Sequence, residues 1–173
     1  MQEITFERIV RDLAYDATIR KNLKTHPWEH TERVLSYSKD ILENEYNHLS
    51  IYKEITVASL FHDVGRLRDG KDIEHGYRSA LILDNMLPCF PFYFDVSSVR
   101  YAILNHSREE GDVGKYPIID NFNTSVDKRI VACLWDADRL DLTRLKEFPN
   151  VNKSYLSTEY GKCIADLINA GVG

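Results

Sequence analysis

The sequence predicts an all-α fold, a single-domain helical bundle of about seven helices. Apolar residues recur with the period of an α-helix along most of the chain, whereas the strict alternation typical of strands is short and rare. No repeat, low-complexity tract or obvious linker divides the sequence. A chain of 173 residues is long enough to bury a sizeable core. We therefore expect residues 1–173 to form one domain.

Each helix is placed by a run of helical periodicity. The first is indicated by apolar residues on one face, namely Phe6, Val10, Leu13 and Ala17. The predicted helices cover about 3–22, 28–46, 51–64, 73–87, 96–107 and 125–137, with a last one from Ser157 or Thr158 to near Gly171. An extension of the sixth helix toward Lys146 stays open. The long loop at 108–124 is either a functional lid, in which Lys115 would close over an anion, or a surface excursion.

Residues that commonly begin or end helices support these bounds. Pro27 precedes the second helix, and Pro is well tolerated at a helix start. Ser50 and Asp95 are candidate N-caps for the third and fifth helices. Gly65 is the expected end of the third helix, and the fourth is expected to end before Pro88.

The composition indicates a globular protein of a reducing compartment. The formal net charge of −5 argues against nucleic-acid backbone as the main partner, because such proteins usually carry a basic excess. The cysteines are three in number and widely spaced, and they form no CxxC pair: Cys89, Cys133 and Cys163. This odd count and spacing favour a reducing cytosol. No signal peptide is recognisable, and no apolar run reaches the ~18 residues that a spanning helix needs. We therefore expect a cytoplasmic protein with no membrane partner.

Histidine and aspartate residues recur in an order that suggests a metal centre. They are His30, His62, Asp63, His75, His106 and Asp138. Imidazole and carboxylate groups are the ligands that bind first-row transition metals. Each of these residues or pairs lies in phase with the apolar face of its predicted helix, so the bundle would bring them inward together. Because an unpaired buried carboxylate or imidazole is costly, their convergence predicts a bound metal ion.

The segments around these residues resemble the motifs of a known superfamily. They are HTERV from His30, LFHDVGR from Leu60, EHGYRSA from Glu74, ILNHS from Ile103 and DADRLD from Asp136. In this order they resemble the HD-domain superfamily of metal-dependent phosphohydrolases, over about residues 26–145. In the last motif the Asp before the basic residue is the usual ligand of that superfamily, which indicates Asp138 rather than Asp136.

The resemblance implies an HD-domain-like helical fold and a site for one or two divalent transition metals, drawn from Mn, Fe, Co, Ni and Zn. The first metal would be held by His30, His62, Asp63 and Asp138. His75 and His106 would either bind a second metal, with Asp63 bridging, or stay metal-free as proton donors or phosphate contacts. Asp63, His75 and His106 are thus the candidate catalytic residues.

Two arginines next to the ligand motifs, Arg66 and Arg139, are the candidate substrate-binding residues, because a guanidinium suits phosphate recognition. Arg78 is a weaker candidate. Asp136 is expected either to orient a ligand His or to pair with a nearby cation, and Asp141 is interpreted as a surface carboxylate.

Two further features are assigned structural roles. His26 and His48 lie in or near turns and are interpreted as solvated. The aromatic segment 88–94 is expected to seal an end of the bundle. Two alternative roles stay open, namely stacking on a nucleobase and forming a subunit contact.

The resemblance favours an enzyme that hydrolyses a phosphoester or phosphoanhydride of a nucleotide or small phosphorylated metabolite by metal-activated water. Two alternatives stay open. One is an HD-type di-iron oxygenase, since relatives such as inositol oxygenase use the same six-ligand set. The other is a non-catalytic regulatory module that binds a metal or nucleotide. The oligomeric state is open, a homodimer included.

Overall fold

The structure, a computed structural model, describes residues 5–46, 49–107 and 125–172. Seven α-helices make up most of this part of the chain: α1 Phe6–Ala17, α2 Trp28–Ile41, α3 Tyr52–Phe61, α4 His75–Met86, α5 Val96–Asn105, α6 Lys128–Leu140 and α7 Glu159–Asn169. A π-helical turn, Leu42–Tyr46, extends α2, and short 3₁₀ turns accompany α3, α4, α6 and α7. Every regular element in the described ranges is helical, which confirms the all-α prediction. His48 and the loop 108–124 with Lys115 lie outside the described residues.

Side-chain caps set several of the helix starts. Asp95 accepts from the Ser98 backbone N–H at the start of α5, as expected. Thr158, one of the two expected starts, caps α7. Asp127 caps α6, which therefore begins three residues later than the predicted residue 125. The predicted cap Ser50 is wrong, because it lies within the 3₁₀ turn Leu49–Ile51 that leads into α3.

Helix α3 occupies the interior of the bundle and brings its C-terminal end inward. It packs against α1, α2, α5 and α6, and residues 55–61 are all buried. A helix that is apolar all round is buried on every face. Phe61 and, on α6, Trp135 are the largest fully buried side chains. The two residues that follow α3, His62 and Asp63, therefore lie inside the bundle.

The turn after α3 depends on Gly65 for close packing rather than for ending the helix. The helix ends at Phe61, four residues before Gly65, so that part of the prediction is wrong. A Cβ at Gly65 would lie 2.5 Å from the Ser79 backbone nitrogen and 2.7 Å from the Arg78 Cβ. The backbone here is tied to α4, since the Gly65 N–H donates to Ser79 Oγ and Arg78 Nε donates to the Gly65 carbonyl.

Gly65→Ala is expected to lower the free energy of unfolding by about 1–3 kcal/mol, because the added methyl group overpacks the α3–α4 contact. Urea denaturation of the wild type and the variant measures this difference. Gly70→Ala is the matched control, since nothing lies within 4 Å of its Cβ position and only its positive φ of 74° adds strain. An equal loss in both variants would contradict the packing argument.

None of the helices in the described ranges is both long and apolar enough to cross a bilayer.

Candidate metal centre

The six candidate ligands come together from five helices. His30 lies in the first turn of α2, and His75 is the first residue of α4. His62 and His106 directly follow α3 and α5, and Asp138 lies in the last turn of α6. The four imidazoles are at most 2% exposed. The ends of the helices thus place the ligands in one buried cluster.

Four side chains form the first half of the cluster. The Nε2 atoms of His30 and His62 lie 3.2 Å apart. Oδ1 of Asp138 lies 3.4 Å from His30 Nε2 and 3.9 Å from His62 Nε2. Oδ2 of Asp63 faces the same two nitrogens at 3.6 and 3.7 Å. One imidazole pair and two carboxylates therefore surround a common point.

The second half lies on the other side of Asp63. The Nε2 atoms of His75 and His106 lie 2.8 Å apart. The other carboxylate oxygen, Asp63 Oδ1, is 3.1 Å from His75 Nε2 and 3.5 Å from His106 Nε2. The two oxygens of Asp63 thus face two different imidazole pairs, so this one carboxylate is shared by both halves of the cluster.

The imidazole tautomers favour metal binding. Each Nδ1 lies against an oxygen acceptor, so each ring donates from Nδ1 and directs Nε2 into the cluster. The acceptors are Asp141 Oδ2 for His30 at 2.6 Å, Ser59 O for His62 at 2.6 Å, Asp72 O for His75, and Ile103 O for His106 at 2.7 Å. Three of these acceptors are backbone carbonyls three residues before the histidine. Such bonds fix the ring that a metal would bind.

Two observations show that the residues fit a metal ion. Asp63 Oδ1 is buried and accepts no hydrogen bond from the described residues. The Nε2–Nε2 separations of 3.2 and 2.8 Å are close to the ~2.9 Å expected for two nitrogens at right angles on an ion with ~2.05 Å bonds. Two nitrogen lone pairs this close repel each other unless a proton or a metal cation lies between them.

The protonation states of the cluster also favour a cation. Burial disfavours both carboxylate charges, yet the surrounding imidazoles, together with Arg66 beside Asp63, lower the pKa values of Asp63 and Asp138. Burial alone would lower the pKa of His30, but its hydrogen bonds to Asp138, Asp141 and Asp63 raise that pKa to about 10. Burial lowers the pKa of His62 to about 4. In the metal-free protein a proton on His30 therefore neutralises part of the charge that a metal would neutralise.

Metal binding is expected to release a proton from His30. Because the His30 pKa is raised to about 10, the ring is protonated at pH 7 and must lose that proton to become a ligand. The apparent affinity should therefore rise as the pH increases from 7 toward that pKa, by up to about tenfold per unit for one proton. Calorimetric Mn²⁺ titrations in buffers of different ionisation enthalpy measure the protons released. Binding that releases none at pH 7 would contradict this account.

Asp141 has the role that the sequence interpretation left open for Asp136, which is to orient a candidate ligand histidine. Asp141 is not a surface carboxylate, since it is 5% exposed. It accepts from His30 Nδ1 and from Arg33 Nε, both at 2.6 Å. Its pKa is lowered, because these bonds outweigh the effect of burial. The signal was available in the spacing, because Asp141 lies one helical turn beyond Asp138 and Arg33 lies three residues beyond His30.

Within the described ranges, Asp136 forms its hydrogen bonds with Ser157 and Thr158 and with no histidine. It is fully buried and accepts from the backbone N–H groups of Ser157 and Thr158 and from the Thr158 hydroxyl. It therefore holds the start of α7, and the expectation that it orients a ligand His is wrong. Burial raises its pKa, against the effect of these bonds.

Of the two candidate substrate-binding arginines, only Arg66 lies in the cluster. Its Nη2 donates to His75 Nε2 at 3.0 Å, and its Nε lies 3.3 Å from Asp63 Oδ2. Its Nη1 is anchored on the Gly70 carbonyl at 3.1 Å. The guanidinium thus lies beside the second imidazole pair, where an anion bound to the centre would meet it.

The other two arginines, Arg139 and Arg78, contact parts of the protein outside the cluster. Arg139 is 4% exposed, lies over the Trp135 ring and donates to the Tyr155 carbonyl. Arg139 follows Asp138 in the chain, but successive residues of a helix point about 100° apart. Its side chain therefore points away from the cluster, and the prediction that it binds substrate is not carried into the proposed function. Arg78 braces the turn after α3 through Asp72 and the Gly65 carbonyl.

His26 lies beside the cluster and not in solvent, which corrects its interpretation as a solvated turn residue. Its side chain is 13% exposed, and its ring meets the His30 ring edge-on with centroids 5.6 Å apart. Burial lowers its pKa to about 3. The aromatic segment 88–94, in contrast, packs Phe90, Phe92 and Phe94 against the core as expected, while Tyr93 is exposed.

Comparison with known proteins adds a structural relative. No family model matches the chain, and no curated protein matches its sequence. A crystal structure of a predicted HD superfamily hydrolase from an uncultured Thermotogales bacterium matches with a TM-score of 0.66 and 23% sequence identity, over 95% of this chain and 86% of that one. The chain has the HD-type fold. The resemblance noted from the motifs is confirmed at the level of the fold.

Proposed function

We propose that this protein is a metal-dependent phosphohydrolase that cleaves a phosphoester or phosphoanhydride of a nucleotide or another small phosphorylated metabolite. The observation that carries the proposal is the position of Asp63, whose two buried oxygens each face a pair of imidazole Nε2 atoms. The HD-type fold shared with a predicted hydrolase supports the same reaction class.

The residues divide into two metal positions. His30, His62, Asp138 and Asp63 Oδ2 would hold the first ion, and His75, His106 and Asp63 Oδ1 the second. A bound divalent metal supplies a Lewis acid and lowers the pKa of water, which is the chemistry that phosphoester hydrolysis requires. Asp141 keeps His30 in the ligating tautomer, and the nearly complete burial of the imidazoles limits competition from bulk water.

The position of Arg66 supports the proposal that the substrate is phosphorylated. A guanidinium forms charge-assisted hydrogen bonds with phosphoryl oxygens, and that of Arg66 lies within hydrogen-bond distance of both His75 and Asp63. Its bond to His75 Nε2 must open before a metal can bind that nitrogen. We therefore expect Arg66 to turn from His75 to the anion when the centre is loaded. This cation also favours hydrolysis over the oxygenase alternative, whose ligand set does not require an anion-binding group.

A cytoplasmic location fits the thiols, since Cys89, Cys133 and Cys163 are all free.

A phosphoester panel tests the function. The protein is loaded separately with Mn²⁺, Fe²⁺, Co²⁺, Ni²⁺ and Zn²⁺ and assayed for phosphate, pyrophosphate or nucleoside released from monoesters, diesters and anhydrides. We expect turnover that depends on the metal and disappears with a chelator. Absence of hydrolysis with every metal, in protein shown to contain that metal, would overturn the proposal.

A further inference from the structure

The connection between α3 and α4, residues 62–74, carries Arg66 into the metal centre. The Arg66 side chain is 9% exposed, and its guanidinium contacts His75 and Asp63. An arginine side chain has many conformations, so holding it in one of them costs conformational entropy. Contacts that fix its backbone before an anion arrives lower the part of this cost that falls on binding. The residues that hold this connection therefore bear on how well Arg66 binds a phosphoryl group.

An ion pair between Asp72 and Arg78 holds the chain on both sides of Arg66. Arg78 Nη2 donates to Asp72 Oδ1. The other oxygen, Asp72 Oδ2, accepts from the Leu67 backbone N–H at 3.0 Å. Arg78 Nε donates to the Gly65 carbonyl at 2.8 Å. The two peptide groups that flank the Arg66 Cα atom are thus each bonded to one member of the pair.

The same segment supports the Arg66 guanidinium and the ring beside it. Arg66 Nη1 donates to the Gly70 carbonyl at 3.1 Å, two residues before Asp72. The Asp72 carbonyl accepts from His75 Nδ1, and His75 Nε2 accepts from Arg66 Nη2 at 3.0 Å. Asp72 therefore connects the backbone around Arg66 with the histidine that its guanidinium meets.

The ion pair lies largely out of solvent. The Asp72 side chain is 7% exposed and the Arg78 side chain 22%. Exposed ion pairs contribute little, because water screens their charges. Charge-assisted hydrogen bonds are stronger than neutral ones, and they fix geometry when a guanidinium donates through more than one nitrogen. The pair is therefore suited to holding the segment in one conformation.

Resting on the proposed hydrolase function, we propose that Asp72 and Arg78 are positioning residues for Arg66. They hold its backbone so that the guanidinium stays beside the second imidazole pair, where it meets the phosphoryl group of the substrate. Neither side chain touches the substrate, and the effect of both on anion affinity passes through Arg66. Arg78, a weaker candidate for phosphate binding in the sequence, thus serves phosphate binding indirectly.

A double-mutant cycle with inorganic phosphate as the probe tests this coupling without turnover. Calorimetry measures phosphate binding to the Mn²⁺-loaded protein. Arg66→Ala should weaken binding about 10–100-fold, as expected for the loss of a charged hydrogen bond. Asp72→Asn should weaken it about tenfold, a usual size of coupling between residues in one network, because the amide replaces one of the two accepting oxygens. In the Arg66→Ala background, Asp72→Asn should have almost no further effect.

Arg78→Lys provides a second cycle. Lysine keeps the charge but has one nitrogen, so it cannot hold Asp72 and the Gly65 carbonyl as the guanidinium does. Its loss of phosphate affinity should also depend on the presence of Arg66. A pair that only stabilised the fold would give equal losses with and without Arg66. Equal losses in the two backgrounds, or wild-type affinity in both Asp72→Asn and Arg78→Lys, would overturn the positioning role.

Asp84→Asn is the matched control. Asp84 lies near the end of α4 and accepts from Arg100 Nε of α5 at 2.9 Å, so its variant removes an ion pair outside the connection. It should keep wild-type phosphate affinity in both backgrounds. The metal content of every variant is measured in parallel and should equal that of the wild type. A loss of metal that accounts for the weaker phosphate binding of Asp72→Asn would contradict the proposal.

Hydrolysis of 4-nitrophenyl phosphate separates this proposal from the proposed function. In an active protein, the KM values of the same variants should show the same dependence on Arg66. Hydrolysis in which the effects of Asp72→Asn and Arg66→Ala simply multiply would overturn the positioning role alone. Absence of hydrolysis, together with coupled phosphate binding, would overturn the hydrolase function and support the role of Asp72 and Arg78.

Discussion

Asp63→Asn is expected to lower kcat/KM for phosphoester hydrolysis by at least about 1000-fold, which corresponds to about 4 kcal/mol of transition-state stabilisation. Asparagine keeps the shape of the side chain but loses the charge, and its amide nitrogen is no metal ligand. Both halves of the centre are affected, because each Asp63 oxygen faces one imidazole pair. The measurement is the initial rate of 4-nitrophenyl phosphate hydrolysis at saturating Mn²⁺.

Asp136→Asn is the matched control for this experiment. Asp136 is fully buried, but it supports the start of α7 by accepting from the backbone N–H groups of Ser157 and Thr158. Its variant should lose about 1–2 kcal/mol of unfolding free energy, the usual cost of a weakened cap, and keep its rate once folded. A folded Asp63→Asn protein with near wild-type rate would show that the reaction does not use this carboxylate.

Asp141→Asn is expected to weaken metal binding by about 10–100-fold, the usual effect of losing the charged partner of a ligand histidine. The carboxylate accepts from His30 Nδ1 at 2.6 Å, and it also neutralises Arg33 and Arg144 nearby. Without its charge, His30 becomes a poorer ligand, and the two guanidinium groups oppose a cation. Calorimetric titration with Mn²⁺ measures the affinity.

Asp166→Asn serves as the control for Asp141, because it removes only an exposed ion pair with Lys153 and should leave the affinity unchanged. The free energy of unfolding of the metal-free Asp141→Asn protein should be measured in parallel. Wild-type affinity in a folded Asp141→Asn protein would mean that His30 is not a ligand of the tighter metal position.

The helices and the convergence of the ligands followed from local patterns. Helical periodicity reports which face of a helix is buried, so histidines and aspartates in phase with that face had to point inward. Helix starts were predictable where a capping side chain directly precedes the α-helix, as Asp95 does at α5. They were missed where a 3₁₀ turn intervened, as at Ser50, because such a turn is set by tertiary packing.

The residues around the ligands were harder to assign from sequence than the ligands themselves, because adjacent helical positions face different neighbours. Asp136 lies two residues before Asp138 and Asp141 lies three residues after it, yet of these two only Asp141 shares the face that meets α2. Arg66 and Arg139 both follow a ligand, but a turn delivers Arg66 into the cluster, while α6 carries Arg139 toward Tyr155. The surroundings of His26 were equally hidden, because the Thr25 hydroxyl that contacts its ring donates to Asp69, which lies 44 residues further along the chain.

The measurement that tests the central claim most directly is the metal content per chain of protein purified without chelator and without added metal. We expect close to two equivalents of Mn, Co, Ni or Zn, or a value that reaches two on reconstitution, as the two imidazole pairs sharing Asp63 imply. Two irons with oxygen consumption would favour the oxygenase alternative instead. Protein that binds no metal even after reconstitution would contradict the account, since four buried imidazoles facing one carboxylate would then require a different explanation.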